Sequence, residues 1–160
     1  PAPIGALRET LSRRRHFVAV RVAEVNAAKR LLRAAGLGHL TKSLGTDTAW
    51  AKLLAALATE VALRPYVAQH HALWRCAQEQ IAALEETLAA QPTPIATVAA
   101  RLQTVPGVGP IVALTTVAVF SDPHRFPNAK HAASYAGLVP STDQSGDRDT
   151  HGHLGRDRIL

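Results

Sequence analysis

Methionine is missing altogether from this 160-residue sequence, and cysteine occurs once, as Cys76. A lone cysteine excludes an internal disulfide and argues against a thiolate metal site. No stretch reaches the roughly eighteen consecutive apolar residues read as a membrane span. No signal-peptide pattern opens the chain. These absences together point to a cytoplasmic protein. With no initiator, a start on Pro1 and an end at Leu160 just after a basic stretch, the sequence is expected to be a segment of a longer protein.

Acidic residues are scarce at one end. Residues 1–45 hold nine Lys or Arg against two acids, residues 46–100 three against five, and residues 101–160 six against five. The net charge of +6 therefore belongs almost wholly to the N-terminal segment. A basic stripe on a helix, here with Arg13, Arg14, Arg15 and Arg21, is the usual electrostatic footprint of nucleic-acid binding. The same composition also describes a solvated, arginine-rich helix face. Composition leaves both readings open.

What is present is a chain of 47% hydrophobic residues, enough for one domain or for a small domain with a helical extension. The pattern is all-α. Leu11, Val18, Val25 and Leu32 recur every seven residues within 5–35, flanked by Leu7, Val22 and Leu31, which predicts one long helix. Arg14 and Arg21 occupy the places where a strict coiled coil wants its second apolar position. Gly36 and Gly38 end the helix, and Asp47 or Thr48 is expected to cap the next. That second helix carries Trp50, Leu53, Leu54, Leu57 and Val61 on one face and stops or kinks near Pro65. A third, over about 67–90, has His70, Leu73, Ala77, Ile81, Leu84 and Leu88 three and four apart, with Trp74 beside them. This is the strongest coiled-coil signal in the chain, and the helices either pack on one another or zip with a second chain.

Pro92 and Pro94 break the pattern, and beyond them helices shorten and Gly and Pro become frequent. The expected division is a helical, coiled-coil region over 1–90 and a second domain over 91–160. Within the latter, Leu102, Val105, Gly107, Val108, Gly109 and Ala113 have the spacing of a helix-hairpin-helix. Its glycines permit a tight turn, and the amides of Gly107, Val108 and Gly109 are candidates for one DNA phosphate. The Lys or Arg that usually follows the second glycine is replaced by Pro110, Ile111 and Val112, so a hairpin used only for packing stays open. Asn128 predicts a cap for a short helix through Ala132, Ala133 and Tyr135 that Gly137 ends, and Arg125 and Lys130 are candidate phosphate contacts. "GLVPSTDQSGDRDT", residues 137–150, reads as a loop. His151 and His153, near Asp147 and Asp149, read as a polar tail, and no metal site is assigned.

The stretches "RRRHFVAVRVAEVNAAKRLLRAAG" and "LQTVPGVGPIVALTTVAVFSDPHRFPNAKHAASYAGLVPSTDQSG" closely resemble a bacterial transposase group. It is the insertion sequence one-ten family, also labelled one-sixteen and nine-oh-two. The likeness covers about 8 to 36 and about 98 to 154, through Pro106-Gly107-Val108-Gly109-Pro110, Asp122-Pro123, Arg125-Phe126, Ala136-Gly137-Leu138-Val139-Pro140 and Ser145-Gly146. The resemblance implies an N-terminal RuvC-like nuclease domain whose carboxylates bind Mg²⁺, a coiled-coil region, and a C-terminal domain with a serine nucleophile. It implies DNA as substrate, a guide-type non-coding RNA and further copies of the chain as partners, and a place with the bacterial nucleoid. Ser145 corresponds to that serine, with Ser141 the second candidate.

A serine hydroxyl needs a base or a metal to activate it. The resemblance supplies this by docking the Ser145 loop on the carboxylates of the nuclease domain, which these residues do not include. No cofactor is expected within this chain, with Mg²⁺ belonging to the nuclease domain. After Gly152 the sequence departs from the family, with Gly155 in place of a hydroxyl residue and Arg156 in place of Lys. Strand transfer is thus expected of a full-length transposase and not of these residues alone. The alternatives are a non-catalytic helix-hairpin-helix module that binds nucleic acid, and an inert remnant of a decayed element.

Overall fold

A computed structural model describes residues 2–42, 44–136, 140–145 and 148–154, the last two ranges as backbone. Six α-helices and one two-stranded β-ribbon make up the described chain, in the order α1 to α6, then β1 and β2. All packed layers are helical, as the periodicity predicts. The residues fall into two compact units, one of Ser12–Ala90 and one of Pro1–Leu11 with Gln91–Leu160. The sequence boundary at 90/91 placed all of 1–90 together, whereas Pro1–Leu11 group with the residues after Gln91.

Helix α1 runs Ala2–Ala34, uninterrupted because no Gly or Pro occurs between residues 6 and 35. Its end is a Schellman turn: Gly36 takes φ 75°, and the Leu37 amide donates to the Leu32 carbonyl at 2.8 Å. Within the Ser12–Ala90 unit, the less exposed positions of α1 are Arg14, Val18, Arg21, Val25, Ala28 and Leu32, alternating three and four apart. Val22, expected on that side, is half exposed. It lies one residue past Arg21, about 100° around the helix.

Helices α2 (Asp47–Ala56) and α3 (Arg64–Ala89) complete this unit. Thr46, not Asp47 or Thr48, caps α2, its Oγ1 accepting from the Ala49 amide at 3.2 Å. The helix stops at Ala56, which leaves Val61 82% exposed and off the apolar face expected of it. Pro65 then stands in the first turn of α3, where a missing N–H costs nothing. The buried stripe of α3 is Val67, Trp74, Ala77, Ile81 and Leu88. It is rotated slightly from the expected one, so Trp74 is inside while Leu73 is half exposed. A large aromatic ring with more area to hide decides that rotation.

Three polar pairs fix α1 and α3 side by side and antiparallel. Arg14 donates to Glu85 Oε1 at 2.8 Å, Arg21 to Gln78 Oε1 at 2.8 Å, and His70 Nδ1 meets Glu24 Oε2 at 2.7 Å. Numbers rise on one helix as they fall on the other. The core beneath is Ala28, Leu32, Leu44, Trp50, Leu53, Leu57, Val67 and Trp74. The two indoles lie 6.0 Å apart by ring centroids, and the His71 ring stacks on Trp50 at 5.2 Å. Val67 and Trp74 of α3 are thus used within the chain, packed with residues of α1 and α2.

In the other unit, α4 (Thr93–Leu102) and α5 (Pro110–Val119) pack on each other, followed by α6 (Ala129–Tyr135). Their buried residues include Ile95, Ala99, Ala113, Leu114, Ala118 and Val119, with Leu7 and Leu11 of α1 also buried. Three alanines in that set let helix backbones approach closely. Arg8 donates from Nε at 3.0 Å and Nη2 at 2.8 Å to the Ala118 carbonyl, and from Nη2 to Ser121 Oγ at 3.3 Å. A cation at the carbonyl end of α5 also complements its dipole. The strands β1 (Pro140–Ser145) and β2 (Arg148–Leu154) form an antiparallel ribbon where the sequence reads as a loop. Its residues lack apolar alternation, the signal by which a strand is recognised. Gly137, Leu138, Val139, Gly146, Asp147, Gly155 and Arg156 lie outside the described residues.

Leu32→Ala is expected to destabilise the Ser12–Ala90 unit by about 2–5 kcal/mol. Leu73→Ala, on the half-exposed side, should stay within about 0.5 kcal/mol of the parent. Urea unfolding followed by helical circular dichroism checks both. Equal losses would mean that the α3 seam runs through Leu73.

Candidate nucleic-acid interface

Between α4 and α5 the chain turns within seven residues. Gln103, Thr104 and Val105 unwind the end of α4, with Thr104 Oγ1 donating back to the Arg101 carbonyl at 2.8 Å. Gly107 then takes φ 86°, one of two left-handed glycines among the described residues. Gly109, at φ −82° and ψ 173°, is the residue ahead of α5. Both glycines are exposed. The positive φ expected of this turn is therefore needed once, at Gly107.

The sequence offers three amides here, and the structure divides them. The Val108 N–H donates to the Val105 carbonyl at 3.1 Å, so it closes the turn. The Gly107 and Gly109 amides make no such bond among the described residues. They join those of Ile111 and Val112, first-turn donors of the kind every helix start leaves without an intrahelical acceptor. Val105 and Val112, both about half exposed, flank these donors, and Val112 stands in the stretch where a phosphate-binding hairpin carries a cation.

The turn after α5 is built by Asp122. Its Oδ1 accepts from the His124 amide at 3.0 Å and starts the short 3-10 turn Pro123–Arg125. This delivers Arg125 to two rings, with the guanidinium carbon 4.2 Å from the Tyr135 centroid and 4.6 Å from that of Phe126. Phe126 in turn contacts Phe120 at 5.7 Å and Tyr135 at 5.3 Å. A stacked guanidinium keeps its in-plane N–H groups for an acceptor such as phosphate. Asn128 caps α6 as the sequence indicates, its Oδ1 accepting from the His131 amide at 3.1 Å, and Lys130 stands exposed in the first turn.

Ser145 is the last residue of β1 and pairs in register with Arg148. Ser141 lies within the same strand, and His151 pairs with Thr142. The backbone therefore places both candidate serines on strand β1 of the ribbon, and Asp147 is outside the described residues.

The arginines of α1 do not form one outward stripe. Arg14 and Arg21 turn toward α3, where Glu85 and Gln78 receive them. Arg13 and Arg15 are exposed, and neither is without a partner. Sequence reasoning missed two residues here. Arg8 gives no signal, because nothing local marks a cation that reaches the end of a helix 110 residues away. Tyr135 was read as a helix residue, although its distance from Arg-Phe marks it only in retrospect as the second ring beneath Arg125.

With this geometry in place, residues 99–158 match the model of a family described as Transposase IS116/IS110/IS902. The match begins inside α4 and runs through α5, α6 and the ribbon. It supports a transposase-related function and, with it, interaction with DNA. Among curated proteins and solved structures nothing matches the chain. No helix among the described residues is long and apolar enough to cross a membrane.

Two substitutions separate the roles of the turn glycines. Gly107→Ala places a Cβ at positive φ and is expected to cost about 1–2 kcal/mol. Gly109→Ala meets no atom within 4 Å and should leave stability unchanged or raise it by up to about 1 kcal/mol. Thermal unfolding of the two variants compares them directly. In the same assay Arg8→Ala should cost about 1–3 kcal/mol through the lost α5 cap. No loss there would mean that this contact contributes nothing to the unit.

Proposed function

We propose that this chain is the helical and C-terminal part of a DNA transposase, and that Ser145 is its nucleophile. The family match over residues 99–158 is the observation that carries the reading, because it spans the serine together with the α4–α5 turn and the Arg125 stack. The oligomeric state, the guide-type RNA and a place with the bacterial nucleoid belong to the same proposal.

The proposed step exchanges one phosphodiester for another. The Ser145 hydroxyl gives up its proton and its Oγ forms a bond to a DNA phosphorus. The bond from phosphorus to the departing strand's oxygen breaks, and that oxygen takes up a proton. A strand hydroxyl attacking the phosphoserine reverses the sequence and reseals DNA without any further reactant. A hydroxyl at neutral pH is a weak nucleophile and needs a base or a metal. Among the described residues no three His, Cys, Asp or Glu side chains converge as a metal site, and no step is assigned to a metal ion on this chain. The carboxylates and Mg²⁺ that the family implies would come from the nuclease domain.

DNA would be held by several weak contacts. The α4–α5 turn serves as a helix-hairpin-helix that offers the amides of Gly107 and Gly109 to one phosphate, with Val108 supporting the turn. Arg125 and Lys130 supply charge on the following segment. Arg13 and Arg15 remain candidates for nucleic acid on α1, whereas Arg14 and Arg21 act there through the helix pair that they hold together.

The test is a complete transposase, with RNA and a donor plasmid, carrying Ser145→Ala or Ser141→Ala. Ser145→Ala is expected to lower excision to about a thousandth of the parent or less and to abolish a denaturant-resistant protein–DNA adduct. Ser141→Ala should keep the adduct. Excision that continues unchanged without Ser145 overturns the catalytic role. Retained DNA binding with no adduct in the parent protein would favour a non-catalytic binding module.

A further inference from the structure

Leu44 lies in the irregular stretch between the 3-10 turn Gly38–Thr41 and α2, yet its side chain is buried in the core of the Ser12–Ala90 unit. It is a wall shared by two shallow depressions. One, of about 350 Å³, is bordered by Arg21 and Lys29 of α1 and by Trp74. The other, of about 310 Å³, is bordered by His39, by Lys42 and by Lys52 on α2. No carboxylate lines either of them.

The acids on the adjoining elements are engaged elsewhere. Glu24 meets His70 at 2.7 Å, and Asp47 meets His71 at 3.2 Å. Arg21 donates to Gln78, whose amide satisfies a hydrogen bond but carries no charge. Lys29, Lys42 and Lys52 pair with no carboxylate among the described residues. Over residues 12–52 nine Lys or Arg stand against two acids, while residues 53–90 hold two against four. The surplus thus lies in the first half of the unit's sequence, and four of its cations, Arg21, Lys29, Lys42 and Lys52, border a floor made by Val22, Val25, Leu44 and Leu53.

We propose that this lysine-bordered surface around Leu44 is a sequence-independent binding site for a nucleic-acid backbone. Two cationic depressions either side of one buried residue suit successive phosphates of a polyanion better than a single small anion. Lysine supplies point charge without the fork geometry that reads base edges, so the site adds affinity and position but no sequence preference. The site is separate in sequence from residues 99–158, and the assignment rests on reading the chain as a nucleic-acid enzyme. It also relocates the basic footprint of the first 45 residues, since two of the four arginines marked there face α3.

The test measures salt-dependent binding of the whole chain to a fluorescein-labelled DNA duplex, a single-stranded RNA of the same length and phosphatidylserine vesicles. The variants are Lys42→Gln with Lys52→Gln, Lys42→Arg with Lys52→Arg, and Arg125→Gln. Lys42 and Lys52 are exposed, so the fold should be unaffected, and helical circular dichroism checks this. Losing two phosphate contacts should lower the slope of log affinity against log salt by roughly 1.8 for duplex DNA or 1.4 for a single strand. Affinity near 0.1 M salt would fall on the order of fiftyfold. The arginine pair should bind like the parent, which separates charge from a structural effect. The steeper loss, with DNA or with RNA, identifies the polynucleotide that uses the site.

An unchanged slope in the glutamine pair overturns the inference. If Arg125→Gln weakens binding in that same experiment, the proposed function still stands. A parent chain that binds neither nucleic acid, or binds only the vesicles, overturns both.

Discussion

The Ser12–Ala90 unit depends on two arginines placed where a helix seam should be apolar. A guanidinium cannot be deprotonated, and one held between packed helices needs an acceptor at a defined place. Arg14 and Arg21 find theirs in Glu85 and Gln78, one heptad apart on each helix. A slip of α3 by one turn would leave both without a partner, so the pairs fix direction and register more than they add stability. The Arg14–Glu85 pair, with Glu85 44% exposed, contributes at most about 1 kcal/mol. Stability comes from the indole cluster of Trp50 and Trp74 with Leu32, Leu53, Leu57 and Val67, all of them at or near full burial.

The unit that contains the family match is held together differently. Its helices are short, and their contact relies on alanines and on Arg8 at the open end of α5. Short helices leave a large share of their backbone groups at termini, and in this unit the termini carry the candidate chemistry. Among the described residues the start of α5 presents amides without a backbone acceptor, and the residue after the 3-10 turn and the last residue of α6 supply the rings under Arg125. Among the described residues the matched segment is thus a set of helix ends and turns on a small core, followed by the ribbon.

Much of this was legible in sequence, and the parts that were not have physical causes. Heptad spacing gave the long helices, Gly36 marked the end of α1 and Asn128 the start of the short α6, because caps and left-handed turns demand particular residues. Periodicity could not say which way α3 rotates by one position, since Leu73 and Trp74 both suit a seam and only tertiary packing chooses. Nor could it show that Arg14 and Arg21 face inward, because a basic residue reads as surface until its acceptor is known. The ribbon around Ser145 was missed since both of its strands are polar and carry no apolar alternation. Ser145 is a candidate through family likeness alone, as a serine before glycine carries little information of its own.

The order of synthesis gives the polar seam a further consequence. Arg14 is made 71 residues before its acceptor Glu85. At a synthesis rate of about 5–20 residues per second, that separation lasts roughly 4–14 s. For that interval Arg14 lacks its acceptor, while the partners of Ala28 and Leu32 on α2, of Glu24 and of Arg21 are all made sooner. The seam can therefore close only in order, from the Gly36 end of α1 back toward Arg14, and its final pairing waits on the last turns of α3.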